Sequence, residues 1–245
     1  EMSASLVGSE MCIRDSGKGK IKSGAVRYSL ISDELDINGS VEFTSSDARL
    51  TSVGTFVPDF SGITKPQKAV LTLAMGELHN SYVFWLYPQT DVEITENGIK
   101  TADDELIFTD SVEKAKVLIA SGKKAMVITD GSNAIENAYC ADFWNYHMFR
   151  VISESMNKPV APGMMGLLID KNDKLLSAFP CEKFTTPQWY EAVTHSKADI
   201  LDDTPNVTPI VQVVDNTERC HRLGMLYKKN GIPVSYTHLR AHETS

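Results

Sequence analysis

The hydrophobic pattern changes character about a third of the way along the chain. Before that point the apolar residues fall in short runs rich in β-branched and aromatic side chains: Ala25–Ile31, Ser40–Thr44, Ala69–Met75 and Tyr82–Tyr87. Such runs read as strands, and Asn38-Gly39, Pro58-Asp59, Gly62 and Pro66 read as the turns between them. Several strands with no helical period predict a small antiparallel β-sandwich of immunoglobulin-like type. Tyr87-Pro88 closes the block, because proline cannot donate to a central ladder.

After Asp91 the period lengthens. Asp91–Thr95 and Glu105–Thr109 read as short strands. Ser111 then opens an amphipathic helix with Val112, Ala115, Leu118 and Ile119 on one face and Gly122 as its stop. Lys124–Thr129 follows as a buried strand, and strand–helix–strand at this spacing predicts a βαβ unit with parallel strands. Gly163–Asp170, a helix near Pro187–Ser196, and strands at Pro209–Asp215 and Leu223–Lys228 complete an α/β pattern with a largely parallel sheet. The boundary between the blocks falls at Pro88–Asp91, giving a β domain over 17–90 and an α/β domain over 91–233.

The ends change the bookkeeping. Leu6–Asp15 and Val234–Glu243 encode one another on opposite DNA strands, and both read as translated sequencing adapter. Glu1–Ser16 and Val234–Ser245 are therefore expected to be disordered artefact outside the fold. On that basis the α/β domain lacks its last strand after Asn230-Gly231, leaving an apolar edge open to aggregation. Between the ends, 28 acidic residues face 22 basic ones. Scattered bases under net negative charge exclude a clustered nucleic-acid surface, and no apolar run approaches membrane-span length. No nucleic-acid or membrane partner is expected.

Chemistry-bearing residues are sparse. Asp130-Gly131-Ser132-Asn133 follows the buried strand, at the end where open α/β sheets gather ligands. It also has the makings of an ordinary βα turn capped by Asp130. Cys140, Cys181 and Cys220 lie in no nucleophile-elbow or paired-cysteine context. Asp215, Glu218 and His221, and separately Glu191 and His195, have spacings that suit metal binding or proton sharing, or simply capping and surface ion pairing. His79 and His147 have no partner in sequence, and the GKGK run at 17–20 lacks P-loop spacing. Trp144, Trp189 and Tyr190 could stack sugars or fill a core. The weak ligand-binding candidates are thus Trp144, Trp189, Tyr190 and Asp130. No catalytic residue, metal ligand or cofactor is expected.

Longer motifs carry a resemblance. DFWNYHMF (Asp142–Phe149), MMGLLID (Met164–Asp170), Ala178–Asp203 and Thr208–Tyr227 are similar to the C-terminal region of family 2-type, β-galactosidase-like glycoside hydrolases of polysaccharide-degrading Bacteroidetes. HNSYVFWLYP (His79–Pro88) resembles the closing strand of the sandwich that precedes that region. Cys181 stands where a threonine is usual, and Pro187–Tyr190 reduces a tryptophan-rich run. The resemblance implies a degenerate class I amidotransferase-like second domain. It also implies retaining hydrolysis by two glutamates on a barrel outside this chain, and a periplasmic or secreted parent enzyme. The expected partners are that catalytic barrel, sugar-binding domains and carbohydrate. A carbohydrate-binding module and an amidotransferase-like or esterase-like enzyme are the alternatives.

Overall fold

The computed structural model describes residues 12–14, 23–44, 50–136, 151, 155–157, 164–215 and 219–236. Two compact units divide the chain, Glu1–Gln89 and Thr90–Ser245. Both are built mainly from strands, one around an antiparallel sheet and the other around a mixed one.

In the first unit, β1 (Cys12–Arg14) pairs antiparallel with β4 (Leu50–Ser52). The main sheet contains β2 (Ser23–Ile31), β3 (Asp36–Thr44), β5 (Gln67–Met75) and β6 (Leu78–Leu86) in the order β3-β2-β5-β6, all antiparallel. Alternation sets the buried face: Val26 and Leu30 of β2, Phe43 of β3, and Ala69 and Leu71 of β5 point inward. The segment after β4 lays Val53, Phe56, Phe60 and Ile63 against that face.

Asn38-Gly39 is not a turn. Both residues lie inside β3, and the chain reverses instead at Ser32–Leu35, where Ser32 N–H donates to Leu35 O at 2.8 Å. Gly39 sits opposite Tyr28 of β2, whose ring covers it and stacks on Phe56 with centroids 4.3 Å apart. A methyl group at position 39 would come within 2.3 Å of the Tyr28 hydroxyl. The glycine is an aromatic seat rather than a bend. Gly39→Ala should therefore displace Tyr28 from Phe56 and lower the unfolding free energy by about 1 kcal/mol, measured by urea denaturation.

The Ser32–Leu35 reversal is tied down by one carboxylate. Glu34 accepts from the Thr64 hydroxyl, from Thr64 N–H at 2.9 Å, and from Gln67 Nε2, while Gln67 Oε1 accepts from Glu34 N–H at 2.9 Å. Those bonds, led by the Thr64 hydroxyl, hold the Glu34 carboxyl down at about 2 against an ordinary 4.5. A folded pKa below the unfolded one stabilises the protein above pH 4.5, and that stability disappears as pH falls towards 2. The stability difference between the parent chain and Glu34→Gln should accordingly be complete at neutral pH. It should close through this acid window, as read by denaturant midpoints at stepped pH.

The second unit runs β7 (Glu93–Thr95), β8 (Gly98–Lys100), β9 (Glu105–Thr109), α1 (Val112–Ala120), β10 (Lys124–Ile128) and β11 (Ala134–Glu136). After an interval come β12 (Gly166–Ile169), a 3-10 turn at Pro187–Trp189 leading into α2 (Tyr190–Thr194), and β13 (Lys197–Ile200). β14 (Val207–Val214), β15 (Arg222–Lys229) and β16 (Ile232–Ser235) end it. Helix α1 starts because Ser111 caps it, its hydroxyl accepting from Lys114 N–H at 3.3 Å. It stops where Gly122 N–H and Lys123 N–H fold back to Ile119 O and Leu118 O. Ala115, Val112 and Leu118 pack on Ala125, Val127, Tyr227 and Val234. Ile119, expected on that face, is exposed instead.

β9 and β10 pair in parallel across α1, as a βαβ unit does. The sheet as a whole is mixed rather than largely parallel: among the described residues parallel pairing is confined to β9–β10 and β10–β16, and the remaining ladders are antiparallel. The cause is the run of short hairpins at both ends, which replaces crossover helices with tight turns.

Two expectations about the ends need correction. Cys12–Arg14 is a paired strand, not a segment outside the fold. A strand also follows Asn230-Gly231. Asn230 and Gly231, at φ 51° and 81°, make the two-residue turn that an Asn-Gly pair favours between antiparallel strands. β16 folds back on β15 and slots between β15 and β10. Pro233 is tolerated because β10 takes up pairing at Val234, one residue later. Val234, Ser235 and Tyr236 are buried, so the apolar edge expected after Asn230-Gly231 is filled.

Candidate functional site

The carboxyl ends of β10 and β16, the place where an α/β sheet presents ligands, hold a buried polar cluster. Thr129 follows β10, and its N–H donates to Ser235 O of β16 at 3.0 Å. Its hydroxyl reaches Asp199 of β13, 3.0 Å from Oδ1 and 3.1 Å from Oδ2. The Tyr227 hydroxyl on β15 donates to Asp199 Oδ2 at 3.0 Å. Asp199 is 5% exposed and Tyr227 is buried beside it. Loss of water raises the Asp199 carboxyl above the ordinary Asp range; the hydrogen bonds from Tyr227 and Thr129 oppose this, and Asp130 nearby adds repulsion. Burial, followed by the Asp199 charge, pushes the Tyr227 phenol up as well.

The turn leading away is anchored to the same strand. Asn133 Nδ2 donates to Ile200 O at 3.1 Å, and Ile200 N–H donates to Asn133 O at 2.9 Å. Asp130 Oδ1 accepts from Ser132 N–H at 2.9 Å, a bond that holds its carboxyl below the usual range. Asp130 thus acts as a turn-former on the surface. Beside it, Lys197 Nζ lies 5.6 Å from the centre of the Tyr236 ring.

A groove of about 710 Å³ opens at the carboxyl end of β9, lined by Asn97, Thr109, Asp110, Lys114, Leu118 and Ile128 among others. Two of its charged groups pair with each other: Lys114 Nζ is 2.7 Å from Asp110 Oδ2, one helical turn away, and Glu96 also lines it.

The remaining candidates are dispersed. Trp189 is 5% exposed in the core of the second unit, its ring edge-on to Phe179 at 4.8 Å, whereas Tyr190 beside it is 57% exposed. Adjacent helical positions point in different directions, so the two rings do not form one platform. Trp144, with Phe143, Tyr146, His147 and Cys140, lies outside the described residues, as do Glu218 and the GKGK run. Asp215 is buried and caps the approach to β15, accepting from Arg219 Nε at 3.0 Å and His221 N–H at 3.0 Å. His221 Nδ1 lies 2.6 Å from Asp202 Oδ2, and His195 Nδ1 lies 3.2 Å from Glu191 Oε2 on the surface. No group of three metal-binding side chains occurs among the described residues. Cys181 is half-buried, and burial raises its thiol; Cys220 is exposed.

Asp199, Thr129 and Tyr227 were not singled out by sequence reasoning. The signal was a lone acid within Ala198–Leu201, a stretch otherwise buried and apolar except at half-buried Ile200. An acid in such a strand must find donors.

Fold and site together define a two-unit, strand-rich protein with a hydrogen-bonded polar cluster at the end of its parallel strands. The chain belongs to the family described as Domain of unknown function (DUF8487), whose model matches residues 106–230, just over half its length. A second model, Domain of unknown function (DUF8488), matches residues 9–88. No curated protein matches the chain.

Proposed function

We propose that the chain is a non-catalytic accessory region of a retaining, β-galactosidase-like glycoside hydrolase, periplasmic or secreted, acting in polysaccharide degradation. In this reading the first unit is an immunoglobulin-like module, and the β9–α1–β10 core belongs to a degenerate class I amidotransferase-like domain. Its role is to buttress the catalytic barrel and shape the cleft beside it. The motifs of Asp142–Tyr227 and His79–Pro88 suggest the parent family. The observation that carries the non-catalytic role is the state of Asp199. At the strand ends where an α/β enzyme would keep its reactive group, the buried carboxylate is occupied by Thr129 and Tyr227. An acid so engaged holds strands together instead of meeting substrate.

Calorimetric titration with galactosides and plant oligosaccharides, alongside hydrolysis of a chromogenic galactoside, tests this role. The expected result is neither binding at millimolar sugar nor turnover. Binding abolished by Trp144→Ala or Tyr190→Ala would favour a carbohydrate-binding module. Turnover abolished by Cys140→Ala or Ser132→Ala would establish an enzyme and overturn the proposal.

A further inference from the structure

β6 is an edge strand built without the usual protection. Its nine residues pair with β5 from Gln67↔Leu86 to Met75↔Leu78 with no bulge, and among the described residues no strand pairs with its other side. Leu78, Tyr82 and Val83 are 64%, 45% and 41% exposed, high values for large apolar side chains on a regular strand. The sequence Leu78–Leu86 contains no Asp, Glu, Lys or Arg. The opposite edge, β3, carries Asp36 and Glu42, the kind of charge that blunts an edge.

The hairpin fixes which backbone groups face out. Gly76-Glu77 joins β5 to β6 with Gly76 at φ 59°, a two-residue turn whose flanking pair, Met75 and Leu78, is hydrogen-bonded. Alternation then turns the N–H and C=O groups of His79, Ser81, Val83 and Trp85 away from β5. Ser81 N–H bears this out, for it donates to the Asn80 side chain at 2.9 Å rather than to β5.

We propose that β6 pairs antiparallel with β6 of a second copy of this chain, joining two four-stranded sheets across a two-fold axis at Tyr82. The edge groups call for an extended strand, and the lack of charge makes this strand compatible with itself. Centred on Tyr82, the pairing sets Ser81 against Val83 and His79 against Trp85 as hydrogen-bonded pairs. Leu78 meets Leu86, and Tyr82 meets its own copy. All four outward residues are used, the exposed Leu78, Tyr82 and Val83 are covered, and a partner carbonyl replaces the Asn80 side chain at Ser81 N–H. The arrangement is isologous and therefore closes at two chains. It does not depend on the glycosidase reading.

Sedimentation velocity of the full chain from low to high micromolar concentration tests the proposal, with circular dichroism to verify folding. The expected result is a reversible monomer–dimer equilibrium. Tyr82→Lys, which sets like charges directly opposite across the axis, should abolish the dimer. Ser81→Lys, at an exposed position whose side chain has no core role, should weaken it too, whereas Ser40→Lys on β3 should leave it intact. A chain that stays monomeric throughout, open-ended assembly instead of a dimer, or a dimer insensitive to both β6 variants would overturn it.

Discussion

Trp189→Ala should lower the unfolding free energy by about 3–5 kcal/mol, the range for removing a large aromatic side chain from a packed core. The ring packs among Met164, Leu167, Leu176, Val193 and Val213, and Phe179 meets it edge-on. Truncation leaves a cavity beside β14, a strand paired on both sides, which limits collapse around it. Trp189→Phe should recover a large part of the loss. It keeps an aromatic ring against Phe179 and removes an indole N–H that is buried without a hydrogen-bond partner. Denaturant melts of the three proteins give the comparison. A loss below about 1 kcal/mol for Trp189→Ala, the scale of an exposed site, would mean that the ring is not a core element.

Tyr227→Phe should cost about 2 kcal/mol, because it deletes a hydrogen bond to a buried carboxylate and leaves Asp199 more poorly solvated. Asp199→Asn should behave differently. The native carboxyl has its pKa raised by burial. For an acid with a raised folded pKa, the favourable contribution is complete below the unfolded value of 3.8 and is lost as pH climbs through the folded value. Relative to Asp199→Asn, the parent chain should therefore be most stable in acid and lose ground towards neutrality. Glu34, whose pKa is lowered, drives the pH dependence the opposite way. Unfolding free energies of parent, Asp199→Asn and Glu34→Gln across the acid range separate the two contributions. A stability difference between the parent chain and Asp199→Asn that is flat with pH would contradict the assignment of a desolvated, buried carboxylate.

Particular residues explain what the sequence made legible. The helix α1 could be read from Val112, Ala115 and Leu118, because a 3.6-residue period, a Ser cap and a glycine stop all agreed over nine residues. The parallel pairing of β9 and β10 followed from the same spacing. Asn38-Gly39 and Asn230-Gly231 show the limit of local turn chemistry. Identical dipeptides sit in a strand in one place and in a hairpin turn in the other. What decides between them is Tyr28, a residue eleven positions from Gly39 in sequence and opposite it in the sheet. β16 is not legible in the sequence because Val234 onward reads as translated adapter, although Asn230-Gly231 carries the chemistry of a hairpin turn. Asp199 was illegible as a site because its partners, Thr129 and Tyr227, lie seventy residues before it and twenty-eight after it. Only strand register brings the three together.

As proposed, this chain buttresses a glycosidase whose chemistry lies elsewhere in the polypeptide. Reading the gene in its genome across the codons for Gly17 and Pro233 tests it most directly. The expected result is a single open reading frame that also encodes a barrel domain with two glutamates placed for retaining hydrolysis. A complete open reading frame with no such domain would contradict it.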